Sequence, residues 1–577
     1  MTKHLSVAAL LSLGLAASSL HAEPPAGLAN ISYPEDSVFE VISHLATVRH
    51  GEEGLPDNPT YSIMANGHIV VACDEGAGIL DLTNPYDMKL VSTYWYDNYG
   101  NANPEYDNWG LTTGYGGIHT VRLDSSFLEF IDYTDPVNPQ IVGTVDSLLP
   151  CHLWRDNGSH AQWGYPTAIA WQAPYLYSSM RNTGIDIIDV HDVNNPIYVK
   201  RFANDGEKYR PGSIHAVGNL LFVAAYNANG MGVWDISDPV NPVLLVWEGE
   251  GWDSPAKGWQ VFVNGNKLFR SGSVVYVWDI SDLPTMEHID TYKRSENCIN
   301  SAPQGEFLHG HCSSGGVEIQ DNFLFFGGSH FGVHKFDMET GDLVGYTGPF
   351  LDPEGASDVK EDWYDVDYPN VVGNLVVGGS EDHFQGVFVS PHQAGPDNTP
   401  PAVNMVVPKN GQTNQATTSR VGLTFTDAIN PASVTTETFI VKESGGTALP
   451  GKYSMYKSIV NFCPDEPLEA NKTYVVEVPA GGITDYMGNA TAETFTSNFS
   501  TGDAVSVRPG TTKKGFAGRR TAPSLQVMGA GTRGFESTRN AHLYTIRGSR
   551  VPASGAGSYA GSRAAVSRGI YVVAPEK

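Results

Sequence analysis

The sequence is poor in cysteine and in long apolar segments. Five cysteines among 577 residues are too few for a disulfide-built scaffold, although Cys298 and Cys312 share one predicted loop and could pair in an oxidising compartment. Apolar stripes with a period of 3.6 residues are missing, which disfavours a helical protein. A chain of this length also exceeds one hydrophobic core, so we expect several domains.

Positive charge is also scarce. The chain has 35 Lys and Arg against 63 Asp and Glu, a net charge of −28, which argues against a nucleic-acid partner. The imbalance is uneven, because the residues from Ala504 onward carry twelve basic side chains and only two acidic ones. This contrast indicates a C-terminal segment with a separate role.

The one substantial apolar run stands at the N-terminus. Lys3 and His4 precede the run Leu5–Leu20, and the small residue Ala22 offers a cleavage point, which predicts a secretory signal peptide over residues 1–22. A membrane anchor is the alternative, but the run is short and rich in serine. We therefore expect an exported protein with no transmembrane span in its mature chain.

What the chain has in abundance is turns and short strands, with 62 Gly, 36 Pro and 27 Tyr. One pattern recurs, an apolar strand that ends in Asp and leads into a turn rich in Asp, Asn and Pro. The copies end at Asp81, Asp132, Asp189, Asp235 and Asp279, and weaker copies end at Asp337 and Pro391. Their spacing of 44 to 58 residues is typical of four-stranded propeller blades. The sequence predicts an all-β protein with a seven-bladed β-propeller over residues 35–392.

Two further expectations follow from this repeat. The segment Phe39–Thr47 looks like an outer strand without a blade of its own, so it should complete the seventh blade and close the ring. The repeated Asp should be structural, because a carboxylate at a strand end can accept hydrogen bonds from turn N–H groups.

The repeat carries a family resemblance. The sequence Asp-Ile-Ser-Asp-Pro-Val-Asn-Pro at 235–242 is similar to the LVIVD-repeat propellers. The resemblance implies the fold and leaves function open, since propellers serve many functions.

Two accessory domains are predicted after the propeller. A Pro-rich linker, Pro391–Pro401, should be stiff enough to hold the next domain apart as a spacer. Residues 400–501 resemble bacterial surface-layer Ig-like β-sandwiches, with Asp485 and the pair Gly488–Asn489 in a turn. Residues 520–577 contain an Arg-Gly-Ser-Arg turn at 547–550 and a final strand Gly-Ile-Tyr-Val-Val at 569–573. With these features they resemble the small C-terminal β domain that sorts cargo of type IX secretion. That resemblance implies the type IX machinery as a partner, and a secreted or cell-surface location in a Gram-negative bacterium, reached through the periplasm.

Candidate ligand-binding residues are aromatic. The loops that enter the blades form one face of the propeller, here called the loop face, and flat rings there suit sugars or peptides. The candidates are Trp109, Trp154, Trp163, Trp252, Trp363 and Tyr364. The alternative is that these rings fill gaps between blades.

Metal binding is a weaker expectation, and no cofactor is required. Four histidines on the same face could hold a transition metal, although ordinary surface histidines are the simpler interpretation. They are His309, His311, His330 and His383. The loop Asp97–Asp107 offers oxygen ligands for Ca²⁺ but lacks a regular calcium-loop pattern.

These observations favour a secreted or cell-surface binding protein over an enzyme, with a glycan or a protein as its extracellular ligand. Motifs for zinc proteases, serine hydrolases and phosphate loops are absent. The alternative is an extracellular enzyme that is metal-dependent or degrades polysaccharides, with Asp253, Glu361 and Asp362 as candidate carboxylates. A third possibility is adhesion through the Ig-like domain.

Overall fold

A computed structural model describes most strands of the chain and few of its long loops. It covers residues 38–48, 52–95, 111–145, 168–203, 209–249, 260–292, 315–347 and 366–503, with gaps of one to six residues, and three strands after residue 525. The chain divides into two compact units, Met1–Val507 and Arg508–Lys577.

The larger unit contains seven sets of four antiparallel strands, numbered here as blades 1 to 7. The strands are, in blade 1, Pro59–Ala65, His68–Cys73, Gly76–Asp81 and Lys89–Trp95; in blade 2, Leu111–Gly114, His119–Leu123, Leu128–Asp132 and Gln140–Val145; in blade 3, Ala168–Gln172, Tyr175–Ser179, Ile185–Asp189 and Ile197–Phe202; in blade 4, Pro211–Val217, Leu220–Ala225, Met231–Asp235 and Val243–Glu248; in blade 5, Gln260–Asn264, Lys267–Ser271, Val275–Asp279 and Glu287–Tyr292; in blade 6, Val317–Gln320, Phe323–Gly327, Val333–Asp337 and Leu343–Thr347; and in blade 7, Asn370–Val372, Leu375–Gly379, Val387–Pro391 and Ser43–Leu45. The first strand of each blade contacts the next blade, and blade 7 contacts blade 1, so the sheets form a closed ring. The predicted all-β propeller is confirmed.

The N-terminal segment closes this ring. Residues Ser43–Leu45 pair antiparallel with Val387–Val389 as the fourth strand of blade 7. The sequence predicted one strand over Phe39–Thr47, and the structure divides it. Val38–Phe39 instead runs parallel to the last strand of blade 6, and Thr47–Val48 runs parallel to Leu55–Pro56. One segment therefore joins blades 6 and 7.

The Asp that ends the third strand of each repeat stabilises the turn after it. Asp81 Oδ1 accepts a hydrogen bond from the Thr83 N–H at 2.7 Å, and Asp235 Oδ1 accepts one from Ser237 at the same distance. Asp132, Asp189, Asp279 and Asp337 accept the equivalent bond. The structural role predicted for this residue is confirmed in six blades.

Both faces of each blade are buried against its neighbours, which explains the short apolar runs in place of alternation. Between blades 4 and 5, for example, Phe222 and Val233 pack in one cluster with Phe262 and Val277, all of them 1% exposed or less. Removing any of these side chains would leave a cavity in a close-packed interface.

The Ig-like domain is a sandwich of two sheets. One sheet contains Val403–Val407, Val421–Phe425, Ile459–Pro464 and Gly451–Tyr456, and the other contains Gln412–Gln415, Phe495–Thr501, Thr473–Val478 and Ile440–Glu443. A short 3₁₀ turn, Pro431–Ser433, lies in the connection from Val421–Phe425 of the first sheet to Ile440–Glu443 of the second. Phe439, Phe462 and Val476 belong to the buried core between the sheets.

The linker does not hold this domain away from the propeller, so the predicted spacer arrangement is wrong. His392 and Asp397, both in the Pro-rich segment, are 4% and 3% exposed. The strand Gly451–Tyr456 pairs with the first strand of blade 2, so one eight-stranded sheet runs through both domains. Side-chain burial therefore overrides the extended, solvated conformation that the proline content indicated.

The second unit contains a small three-stranded antiparallel sheet among its described residues. Its strands are Gln526–Met528, Tyr571–Pro575 and Ala541–Thr545, in that order. Within the described part of the chain, no helix is long and apolar enough to cross a membrane.

Two of the five cysteines lie in the described part of the chain. Cys73 is buried at the end of its strand, and Cys463 is partly buried in the Ig-like domain. Cys151, Cys298 and Cys312 lie outside the described residues.

Candidate functional site

The candidate residues of the loop face lie outside the part of the chain that the structure describes. This holds for the aromatic set Trp109, Trp154, Trp163, Trp252, Trp363 and Tyr364, for His309, His311, His330 and His383, for Asp253, Glu361 and Asp362, and for the loop Asp97–Asp107. Their roles stay predictions.

The structure instead describes the opposite face in detail. It is formed by the turns between the first and second strands of the blades, and is called the turn face here. The Ig-like domain covers it and contacts all seven blades, at residues that include Tyr61, Thr112, Ala173, Gly218, Gly265, Asp321 and Gly373. The turn face is therefore an interface within the chain.

At blades 4 and 5, polar side chains form hydrogen bonds with backbone groups across the interface. Asn461 of the Ig-like domain accepts a hydrogen bond from the Gly218 N–H at 2.8 Å and donates one to the Ala216 carbonyl at 2.9 Å. In blade 5, Asn264 donates to the Phe425 carbonyl at 2.7 Å. All these groups are buried, so each bond removes an otherwise unsatisfied donor or acceptor from the interface.

The hairpin Tyr456–Ile459 places its tip at the centre of the ring. The hydroxyl of Tyr456 is hydrogen-bonded to that of Tyr61 in blade 1, and its ring lies 4.7 Å from the ring of His215 in blade 4. The next residue, Lys457, has a φ of 54°, a left-handed backbone conformation that residues other than glycine rarely adopt. We call Tyr456 and Lys457 the plug.

Lys457 forms a buried ion pair with the propeller. Its Nζ lies 2.9 Å from Glu318 Oε2 in blade 6, and the two side chains are 3% and 1% exposed. Lys457 also donates to the Pro369 carbonyl at 2.6 Å, and Glu318 accepts from the Val371 N–H at 2.8 Å. Burial raises the pKa of Glu318, and the Lys457 ammonium opposes that shift. The Lys457 ammonium therefore favours the ionised form of a carboxyl group that lies in the interior of the ring.

His215 contacts the plug and is kept neutral. Burial lowers its pKa to about 3, and the nearby positive charge of Lys457 acts in the same direction. Its ring packs against Tyr456 and also lies 5.5 Å from the ring of Phe262. A neutral imidazole here serves packing, and protonation would disrupt it.

A second polar site lies where blade 6, the linker and the Ig-like domain meet. The acidic cluster consists of Asp397 in the linker, with Asp427 and Asp485 in the Ig-like domain. One carboxylate oxygen from each residue lies within 4.8 Å of those from the other two, and the three residues are 3%, 2% and 1% exposed. Among the described residues, this is the group of side chains that is close enough together to hold a metal ion.

Neighbouring groups position the cluster. Asn489 donates two hydrogen bonds to Asp485, which confirms the turn predicted at Gly488–Asn489. The amide of Gln320 in blade 6 donates to Asp397 Oδ2 at 3.1 Å. Asp321 follows in the same turn, and its N–H donates to the Thr426 carbonyl at 2.6 Å.

The charges of the cluster repel each other. Burial, and then the neighbouring carboxylates, raise the pKa of Asp427 well above its ordinary value, and burial and Asp397 raise that of Asp321 to about 6. No Lys or Arg among the described residues forms an ion pair with Asp397, Asp427 or Asp485. Such a site requires protons or a cation to neutralise it.

Sequence reasoning missed both the plug and the cluster. The signal for the cluster was weak but present, because Asp397 and Asp485 stand beside turn residues that the sequence analysis assigned to a linker and a loop. The plug had no comparable signal, since Tyr456, Lys457 and Ser458 form an ordinary-looking hairpin turn.

Comparison with known proteins identifies one domain. Residues 397–501 match the family Big_5, described as a bacterial Ig-like domain. The matched range includes the linker residue Asp397 and ends with the last strand of the sandwich. No curated protein matches the chain.

Solved structures resemble the chain at low similarity. The computationally designed Ika8 protein is 12% identical, with a TM-score of 0.34, over 60% of this chain and 100% of its own. The β-propeller domain of Cps50 (Swd1) from Myceliophteria thermophila is 9% identical, with a TM-score of 0.41, over 60% and 99%. A functionally unknown protein from Desulfotomaculum acetoxidans is 13% identical, with a TM-score of 0.39, over 54% and 96%.

Proposed function

We propose that the chain is an exported binding protein that recognises an extracellular glycan or protein through the loop face of its propeller. The observation that supports this proposal is the position of the Ig-like domain. Because that domain contacts all seven blades from the side of the turn face, a ligand of the ring must approach from the loop face. A closed ring with an Ig-like domain suits a surface or binding protein.

The aromatic residues predicted from the sequence are the proposed contacts. The strands that follow these loops begin at the loop face, for example at Ala168, Gln260 and Asn370. The loops before those strands carry Trp154, Trp252 and Trp363. Stacked rings contribute mainly through buried area, so the binding energy should be spread over several of them.

The experiment is a glycan and peptide array with the purified full chain, followed by titration of the best ligand. Replacing Trp154, Trp252 or Trp363 with Ala should each weaken binding by about 1–3 kcal/mol. The matched control is Tyr86→Ala, because Tyr86 is 49% exposed in a turn after the third strand of blade 1, on the turn face. Unchanged affinity in all three Trp variants would refute the proposal.

The same preparation tests the metal-dependent alternative. Elemental analysis of the wild type and of His311→Ala shows whether the loop-face histidines hold a transition metal. Stoichiometric metal that is lost in the variant would favour an enzyme over a binding protein.

We also propose how the protein reaches its location. The signal peptide over residues 1–22 would direct export to the periplasm of a Gram-negative bacterium, and the tail at 520–577 would act as a type IX sorting domain. The seven blades would be LVIVD repeats. The tail is basic and the rest of the chain is acidic, and this difference in charge supports a separate role for the tail.

A further inference from the structure

The acidic cluster contains one buried oxygen atom that the protein itself leaves unsatisfied. Asp427 Oδ2 has no hydrogen-bond partner, although Asp427 is only 2% exposed. Its other oxygen accepts a bond from the Ala428 N–H at 2.6 Å. An unpaired carboxylate oxygen in the interior is costly unless a ligand binds it.

A neutral residue outside the cluster shows the same feature. Gln320 is 1% exposed, and its Nε2 borders the cluster through the bond to Asp397, but its Oε1 has no partner. Asp321 Oδ1, in the same turn of blade 6, is also buried without a partner. Blade 6 therefore carries two unsatisfied buried oxygens in the turn that hydrogen-bonds the cluster.

We infer that the acidic cluster binds one divalent cation, Ca²⁺ by its chemistry, and that this ion ties blade 6 to the linker and the Ig-like domain. The site would use the carboxylates of Asp397, Asp427 and Asp485, with Gln320 and Asp321 as further oxygen donors. This site is distinct from the loop-face histidines and from the loop Asp97–Asp107, and it does not depend on the proposed function.

The donor set selects the kind of cation. All candidate donors are oxygens, from carboxylates and an amide, and His or Cys does not contribute, so a soft transition metal is disfavoured. Ca²⁺ accepts six to eight oxygens at 2.3–2.6 Å in flexible geometry, whereas Mg²⁺ requires a near-ideal octahedron and usually retains several waters. A crowded, buried group of carboxylates from three segments fits Ca²⁺ better.

The ion would act as a structural clamp. Without it, the like charges of Asp397, Asp427 and Asp485 repel one another at the junction of two domains. When the ion is bound, the three carboxylates coordinate it and their charges are neutralised. The docked arrangement should then be favoured over separated domains.

The test uses the full chain freed of metal by a chelator and titrated with CaCl₂ at pH 7.5 by calorimetry. We expect Asp427→Asn and Asp397→Asn each to remove one equivalent of bound Ca²⁺, or to weaken it at least about tenfold. The control Asp503→Asn, an exposed Asp just after the last strand of the Ig-like domain, should bind as the wild type does. A parallel titration with MgCl₂ should give much weaker binding.

Thermal unfolding provides the second measurement. It also identifies a variant that does not fold, because such a variant shows no unfolding transition. CaCl₂ should raise the midpoint of the wild type and of Asp503→Asn, and leave those of Asp427→Asn and Asp397→Asn unchanged. If the cluster shares protons instead, Ca²⁺ will not shift the wild type, and the Asn variants will be more stable at pH 7.5 with or without Ca²⁺. That result overturns the inference, as does Ca²⁺ binding that neither cluster variant affects.

Discussion

Replacing Lys457 with Met tests whether the plug holds the Ig-like domain on the propeller. Met keeps the length of the side chain and the β-carbon at the strained position but removes the charge. Glu318, 1% exposed, then loses its only ion-pair partner among the described residues and keeps its hydrogen bond from the Val371 N–H.

The size of the effect follows from how Glu318 can respond. Removing one partner of a buried pair typically costs about 3–5 kcal/mol, because the remaining charge stays buried. Glu318 can escape by taking up a proton, and for a carboxyl with an ordinary pKa of 4.5 that costs about 3 kcal/mol at pH 7. We therefore expect Lys457→Met to cost about 3 kcal/mol at pH 7 and less than about 1 kcal/mol at pH 5.

The assay is urea unfolding of the full chain, followed by two signals. All 11 Trp precede residue 364, so Trp fluorescence reports the propeller, while far-ultraviolet circular dichroism reports both domains. The variant should show a separate transition for the Ig-like domain. Adding Glu318→Gln to Lys457→Met should restore most of the stability, because the unpaired charge is then gone.

The matched control is Lys442→Met in the same domain. Lys442 pairs with Glu477 at 2.7 Å, but these side chains are 28% and 26% exposed, so we expect a loss below about 1 kcal/mol. Equal losses in Lys457→Met and Lys442→Met, or a Lys457→Met loss that does not shrink at pH 5, would refute the role assigned to the buried pair.

Three further predictions concern ring closure, pH and delivery. Deleting residues 35–48 should expose the edge strand Val387–Pro391 and cause aggregation, whereas a control deletion of 24–34 should not; equal solubility on size-exclusion chromatography contradicts closure by this segment. His215 has a folded-state pKa of about 3, so its stabilising contribution is present above pH 6.5 and is lost as the pH falls towards 3. Relative to His215→Gln, the wild type should lose about 1.4 kcal/mol of unfolding free energy per pH unit below 6.5. Urea titrations in which the unfolding free energies of the two proteins change in parallel with pH would exclude this. Removing residues 520–577 should retain the processed protein in the periplasm without lowering propeller stability, and normal delivery to the surface or medium in cell fractionation would contradict a sorting role.

The architecture could be predicted from the sequence because its signals are local. Each repeated Asp bonds to the turn two residues later, as Asp235 does to Ser237, so the repeat appears as a short string of letters. The same holds for Asp485 and Asn489 in the Ig-like domain. Local hydrogen bonds of this kind fix residue types at fixed spacing.

The docking of the two domains could not be predicted, because its contacts join residues far apart in the chain. Lys457 meets Glu318, and Asn461 meets Gly218, without any pattern near either residue. The linker was misjudged for a related reason. Proline predicts an extended backbone. It does not show that His392 will be buried and will donate a hydrogen bond from Nε2 to the Gly373 carbonyl of blade 7.

Ring closure by the N-terminal segment also sets the order in which the molecule can fold. Ser43 is made first during synthesis, yet its partner Val389 emerges only after six blades have been completed. Until then the early blades expose apolar faces and an open edge, and contacts of such long sequence separation form slowly. The strands of the Ig-like domain are close in sequence, so this domain can fold soon after it has been synthesised. The late and vulnerable event is therefore the meeting of the two ends of the ring, when the edge strand of another copy is the natural competitor.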